Sequence, residues 1–284
     1  MDYELMMNGT VKIGQHAPNF EAETTYGPVS LEDYKGKWLV FFSHPGDFTP
    51  VCTTEMIAFA NACPYFEKLN TCLLGLSIDS NPSHLAWMRD IYCMTGIVLP
   101  FPIVADRNGS IARKYGMISN DISSTETVRN VFVIDDKGIV RVILVYPLNI
   151  GRFIPEILRI IQALQMADCS KGSTPANWMP GQPVIETPPK TYPQLQERLN
   201  FIEQNNNGMS WYLSFKEPPK ICDKWQFGVN LVPVFFLTAL SRKTPVPNWQ
   251  KTSIQLSRNR WQCSLAFNFF VGFFWRFFTL FLKF

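Results

Sequence analysis

No two of the seven cysteines stand in a C-x-x-C spacing, and their number is odd. That scatter argues against a zinc site and against a disulfide framework, and for a reducing compartment. The opening residues, Met1-Asp-Tyr-Glu-Leu5, carry acids and no basic stretch leading into an apolar one. No secretory signal is read there, so a cytoplasmic location is expected and the sequons at Asn8 and Asn108 carry little meaning. No internal repeat is evident. Charge is sparse, at 17% against 46% hydrophobic residues, which is still the composition of a globular chain. Acidic residues are missing altogether from 225–284, where seven Lys or Arg and 12 of the 23 Phe are found. Such a break in composition marks a boundary.

Ahead of that break the chain alternates between strand-like and helix-like segments. Lys37–Ser43, Leu73–Ile78, Val128–Ile134 and Val140–Tyr146 are rich in Val, Ile, Leu and Phe and read as strands. Asp135-Asp-Lys-Gly138 is a hairpin turn between the last two. Helical patterns run over 53–69, 83–94 and 153–166, with Pro64 expected to interrupt or kink the first. Strands alternating with helices and closing on a hairpin predict a mixed α/β sheet. Residues 170–193 are rich in Pro, Gly, Ser and Thr and read as extended chain. Tyr192–Glu203 reads as a helix.

The chemistry concentrates in Pro45-Gly-Asp-Phe-Thr49-Pro-Val-Cys52. This stretch follows the apolar run Trp38–Phe42 and precedes the opening turns of a helix. Free backbone N–H groups and the positive end of the helix dipole gather at such a position, and both favour a thiolate over a thiol. Cys63, Cys72 and Cys93 lie among apolar neighbours and read as quiet buried residues.

Pro-x-x-x-Thr-x-x-Cys after a strand resembles the peroxidatic signature of the peroxiredoxins, and Phe42–Glu55 resembles their one-cysteine branch. Leu76–Asp79, Ser83–Trp87, Leu99–Pro102, Arg129, Tyr146-Pro147 and Gly151-Arg152 agree with it, and Thr174–Trp178 resembles the start of that branch's C-terminal domain. The resemblance implies a thioredoxin-like fold over residues 10–168 and a small C-terminal peroxiredoxin domain over 169–216. Residues 217–284 are left as an atypical basic, Phe-rich tail, expected to be disordered: an extension never selected to pack, a membrane anchor or an interaction segment. The implied activity is a thiol-dependent peroxidase acting on hydrogen peroxide and alkyl hydroperoxides. The alternative is a redox sensor or a chaperone-like holdase on the same fold. No cofactor, metal or nucleic-acid partner is implied. The implied partners are a hydroperoxide, an external thiol reductant such as thioredoxin or glutathione, and further copies of the chain, as a homodimer or ring of dimers.

By the same resemblance, Cys52 attacks the peroxide and becomes a sulfenic acid. Thr49 binds thiolate and peroxide through a hydroxyl that can donate and accept, though a helix-capping or turn residue would read the same way. Arg129, at the head of an apolar strand, favours the thiolate and the charge that develops as the O–O bond breaks. Pro45 shields the sulfur from water. Arg152 is a second arginine near the pocket, Glu55 orients an arginine, and His44 shapes the pocket. His16 and His84 read as structural or surface residues.

The sequence also departs from the family's variants. Some animal one-cysteine members carry a phospholipase serine, histidine and aspartate, and Lys37, Leu31 and Lys137 stand at the matching positions. An archaeal subgroup carries two further cysteines where Gly208 and Ser214 stand. The Val-Cys-Pro motif of the two-cysteine branch is absent. A one-cysteine cycle is therefore expected, with Cys169 and Cys222 as the remaining candidates to resolve the sulfenic acid.

Overall fold

The computed structural model describes residues 11–119, 121–205, 209–220 and 222. The rest of the chain, with nearly all of the tail, lies outside the described residues.

Seven strands form the main sheet: β1 (Glu21–Thr24), β2 (Gly27–Ser30), β3 (Trp38–Ser43), β4 (Thr71–Ser77), β5 (Ile103–Ala105), β6 (Arg129–Ile134) and β7 (Val140–Tyr146). Their spatial order is β2-β1-β5-β4-β3-β6-β7. The central strands β3, β4 and β5 are parallel, and the outer pairs are antiparallel. Every residue of β3 and β6 is buried. Burial on both faces explains why these strands are apolar runs rather than alternating ones. Val40 and Phe42 face one core with Phe59, Phe66, Trp87, Ile91 and Ile161. Leu39 and Phe41 face the other with Phe20, Tyr115 and Phe132.

The helices are α1 (Pro50–Lys68), α2 (Asn81–Thr95), α3 (Ser110–Lys114), α4 (Ile154–Ser170) and α5 (Tyr192–Asn205). Helix α1 begins earlier than the pattern suggested because Pro50 takes its first position, where a missing N–H costs nothing. It also runs through Pro64 without ending. Ala62, Cys63 and Phe66 are buried around that proline, so tertiary packing outweighs the local break. Helix α2 is capped by Ser80, whose hydroxyl accepts from Ser83 N, and ends at Gly96 with φ 73°. The observed β7 is the expected strand residue for residue. β1, β2, β5 and α3 were not expected: each is five residues or fewer, too short for periodicity to register.

The segment expected to be only extended chain carries β8 (Val184–Ile185), which pairs with β9 (Phe215–Lys216). Beside it Trp178, Met166, Val184 and Cys222 form a small core. Cys169, on the last turn of α4, is disulfide-bonded to Cys222. The scattered cysteines argue against a disulfide framework, and this one pair is the exception to that reading. The two cysteines are 53 residues apart, and what brings them together is the packing around Trp178, which spacing does not encode. No helix among the described residues is long and apolar enough to cross a membrane.

Candidate active site

Cys52 is the third residue of α1, fully buried, and a free thiol. Glu55 lies one turn further along the same helix. Arg129 opens β6, whose pairing with β3 brings it towards the end of the strand that leads into the cysteine loop. Arg129 Nη1 donates to Cys52 Sγ at 3.2 Å and to Glu55 Oε2 at 2.7 Å. Its Nε and Nη2 both donate to the Leu148 carbonyl, at 3.0 and 2.7 Å. The guanidinium is thus fixed from two sides while one nitrogen faces the sulfur.

Glu55 is held by two arginines. Arg152 donates to it from Nε (2.8 Å), Nη2 (2.7 Å) and its backbone N (2.9 Å). Arg152 Nη1 donates to the carbonyls of Ser43 and Asn130. Its guanidinium lies over the rings of Phe42 and Phe59. Burial pushes the Glu55 carboxyl up, but the charge and hydrogen bonds of Arg152, with the charge of Arg129, outweigh it and hold Glu55 below its ordinary value. The cluster carries two cations and one anion, all nearly inaccessible to water.

Thr49 occupies the N-cap position of α1, yet its side chain makes no cap bond. The hydroxyl donates to the Gly46 carbonyl at 2.9 Å, which leaves its lone pairs open to another donor. The capping reading of Thr49 therefore does not describe what its side chain does. Thr49 O in turn accepts from Thr53 N and Thr53 Oγ1, and Trp87 Nε1 donates to Thr53 Oγ1. Phe48 precedes Thr49 with φ 57°. For a bulky residue that conformation costs on the order of 1–3 kcal/mol and needs support from its surroundings. Pro45 is half-buried in the same loop.

The support centres on Asp47, a residue with no separate role legible in the sequence. Asp47 Oδ1 accepts from His44 Nε2 at 3.0 Å, and Asp47 Oδ2 from Ser83 Oγ and His84 Nδ1, each at 2.8 Å. Asp47 N donates to Asp79 Oδ2, which also accepts from Ser77 Oγ. His84 is fully buried, not a surface residue. Its partner is 37 residues away in sequence, so no local pattern announces it. The donor atoms of His44, Asp47 and His84 lie within 4.8 Å of one another, a spacing that would admit a cation. Each of those atoms already has a hydrogen-bond partner in the cluster, so the group reads as hydrogen-bonded rather than metal-binding.

Of the expected residues, the structure therefore joins Cys52, Arg129, Glu55 and Arg152 in one network, and places Thr49, Pro45 and His44 on the adjoining loop. Leu31, Lys37 and Lys137 line a single small cleft with His16 and Asp135. That cleft holds no serine.

The chain matches the AhpC/TSA family over residues 13–143 and the C-terminal domain of 1-Cys peroxiredoxin over 163–200. It is 57% identical over 206 residues to peroxiredoxin 2 of Caldanaerobacter subterraneus, covering 72% of this chain and 93% of that one. The chain belongs to the peroxiredoxin family. The peroxiredoxin of Aquifex aeolicus is 48% identical, with 72% and 96% covered. Among solved structures, peroxiredoxin 6 of Arenicola marina superposes with a TM-score of 0.66 at 33% identity, covering 74% of this chain and 99% of that one. A yeast mitochondrial 1-Cys peroxiredoxin gives 0.64 at 40% identity, with 73% and 100% covered. The fold is that of a thioredoxin-like peroxidase, and membership makes this chain a thiol peroxidase, an oxidoreductase that takes peroxide as substrate and a thiol as reductant.

Proposed function

We propose that Cys52 is the peroxidatic nucleophile of a one-cysteine cycle that reduces hydrogen peroxide and alkyl hydroperoxides. The observation that carries this reading is the Arg129 guanidinium 3.2 Å from a buried sulfur at the start of α1. The thiolate attacks the terminal oxygen of the hydroperoxide. The S–O bond forms as the O–O bond breaks, leaving a sulfenic acid and an alkoxide or hydroxide that takes up a proton. Arg129 stabilises the charge as it moves from sulfur to the leaving oxygen. Thr49 orients the peroxide through its hydroxyl, Glu55 and Arg152 hold Arg129 in place, and Pro45 and His44 shape the entrance.

An external thiol then converts the sulfenic acid to a mixed disulfide with loss of water, and a second thiol of the reductant displaces Cys52 as the free thiol, leaving the reductant as a disulfide. Two observations support an external reductant. Cys169 and Cys222 are bonded to each other and offer no thiol while that bond stands. The yeast relative is described as resolved through glutathione and thioredoxin systems. Residues 10–168 form the peroxidase domain in this reading and 169–216 the C-terminal domain, in a cytoplasmic dimer or ring of dimers.

The test is peroxide consumption with thioredoxin, glutathione and a small dithiol, compared side by side for the wild type and Cys52→Ser. Sustained turnover by the wild type and none by the variant is expected, because a serine hydroxyl is far too weak an acid to supply the nucleophile at neutral pH. Turnover by the serine variant at the wild-type rate would sink the assignment. A single oxidation per chain with every reductant would favour the sensor or holdase reading instead.

A further inference from the structure

The loop that carries Thr49 has a second support, separate from the arginine network, and it centres on Asp47. The carboxylate is 2% exposed and takes hydrogens from three side chains: His44, Ser83 and His84. His84 meets only acceptors. Its Nδ1 faces the Asp47 carboxylate at 2.8 Å and its Nε2 faces the Val104 carbonyl at 3.3 Å. Both contacts are satisfied only if each ring nitrogen carries a proton. His44 differs. Its Nε2 gives a hydrogen to Asp47, while its Nδ1 is buried with no partner. An unpartnered nitrogen in a dry site is least costly as a bare lone pair.

We infer that Asp47 is a positioning residue for the peroxidatic loop: it pairs with a doubly protonated His84 and holds His44 in its neutral Nε2–H form. The anchor joins the loop to α2 through Ser83 and His84, and to the end of β4 through Asp79. Gly46 stands just before Asp47 and Thr49 two residues after it, and the Thr49 hydroxyl is aimed by its bond to Gly46 O. Phe48, at positive φ, lies between the anchor and Thr49. Without the anchor the strained turn has a route to relax, and the Thr49 hydroxyl moves with it.

The charges facing the cluster agree with a neutral His44 and an ionised Asp47. Burial disfavours the charged form of His44 and outweighs its hydrogen bond to Asp47 and the Asp47 charge, and the charges of His84 and Arg152 act in the same direction as burial. Burial alone would raise Asp47, but the hydrogen bonds and charges of His44 and His84 hold it far below the ordinary carboxylate range. Asp79 lies on the loop's backbone N–H side.

The inference rests on Cys52 and Thr49 as the reacting pair, and two independent readouts test it on the full chain. Nitrogen-resolved NMR of the wild-type imidazoles is expected to show protons on both nitrogens of His84 and on Nε2 alone of His44. In Asp47→Asn an amide replaces the carboxylate, and its NH₂ cannot accept from an imidazole N–H. His84 should then lose one proton, and the rate constant for Cys52 with hydrogen peroxide should fall about 10²-fold, the scale of a misplacement of about 1 Å. If that variant fails to fold, His84→Gln serves: its amide keeps one donor towards Asp47 without the charge, and a smaller but measurable fall is expected. A singly protonated His84 in the wild type, or peroxide reaction at the wild-type rate in the variant that folds, would overturn the inference. The imidazole spectrum does not depend on which cysteine reacts, so failure of the Cys52 assignment is told apart from failure of this one.

Discussion

Replacing Arg129 by alanine should separate catalysis from folding. The side chain makes four hydrogen bonds: one to Cys52 Sγ, one to Glu55 Oε2 and two to the Leu148 carbonyl. Losing the first removes a preorganised charge at the sulfur, an effect of about 10²–10³ in rate, or roughly 2.7–4 kcal/mol. Losing the second does not strand Glu55, because Arg152 still donates to it three times. The penalty of an uncompensated buried charge therefore does not arise, and the variant should fold. Arg152→Ala is the contrasting case. It strips both side-chain donors, Nε and Nη2, from Glu55, leaving it only the residue-152 backbone N–H and Arg129, and leaves the Ser43 and Asn130 carbonyls without their shared partner. Breaking a buried pair in this way costs about 3–5 kcal/mol, so that variant should fail mainly in stability. Arg129→Lys should recover only part of the rate, since a point-charge ammonium cannot reach Leu148 O, Glu55 and the sulfur at once. The assay is single-turnover stopped flow with hydrogen peroxide, read by tryptophan fluorescence, beside urea unfolding of the same variants. A folded Arg129→Ala protein reacting at the wild-type rate would refute the electrostatic role. Equal stability losses in both alanine variants would refute the claim that Arg152 alone suffices for Glu55.

Acid should destabilise the fold through the same groups. Glu55 and Asp47 are held below their ordinary values of 4.5 and 3.8, so their contribution is present above those values and is lost as pH falls through the depressed ones. His44 is held below 6.5, so the unfolded chain takes up its proton first and stability already declines below about that pH; urea midpoints that rise on acidification would contradict this. Purified protein should release no fatty acid from phosphatidylcholine, because the cleft with Leu31, Lys37 and Lys137 has no serine to form an acyl-transfer pair; release above a mock preparation would refute it. A chain ending at Lys216 should keep peroxidase activity, since Cys52, Thr49 and Arg129 lie outside the Trp178 core, but should melt earlier than one ending at Asp223, which retains Cys222 and its bond to Cys169. Equal melting of the two, or loss of turnover in the shorter, would count against that division.

The parts of the site legible in the sequence are those written in one short stretch or at a conspicuous position. Cys52 and Thr49 share one motif, and Arg129 stands out as a charge at the head of an apolar strand that proves buried throughout. The expected strand pattern holds for β3, β4, β6 and β7 because each is a run of six or seven residues. What was missed depends on contacts between distant segments. Asp47 looks like an ordinary loop acid until α2 brings Ser83 and His84 to it. Cys169 and Cys222 look unpaired until α4 and the chain beyond β9 meet around Trp178. Pro64 looks like a break until its helix is seen to be packed on both sides of it.

The two supports of Cys52 reach it from different sides of the fold. Arg129 comes from β6, on the far side of β3 from β4, and Arg152 from the end of the segment that leads into α4. The loop anchor comes from α2 and the end of β4. A reaction that moves charge from sulfur to oxygen needs both the field and the alignment to hold while the bond changes. No residue hydrogen-bonds within both supports, although the charge of Arg152 reaches His44, so damage to one leaves the hydrogen bonds of the other in place. Loss of the field should slow the reaction in a folded protein whose imidazole protonation is unchanged. Loss of the anchor should slow it with the arginine network intact. Variants at Arg129 and Asp47 should accordingly combine with nearly additive free energies, as sites without shared partners do. Strong coupling between them would mean that the loop and the guanidinium move as one unit.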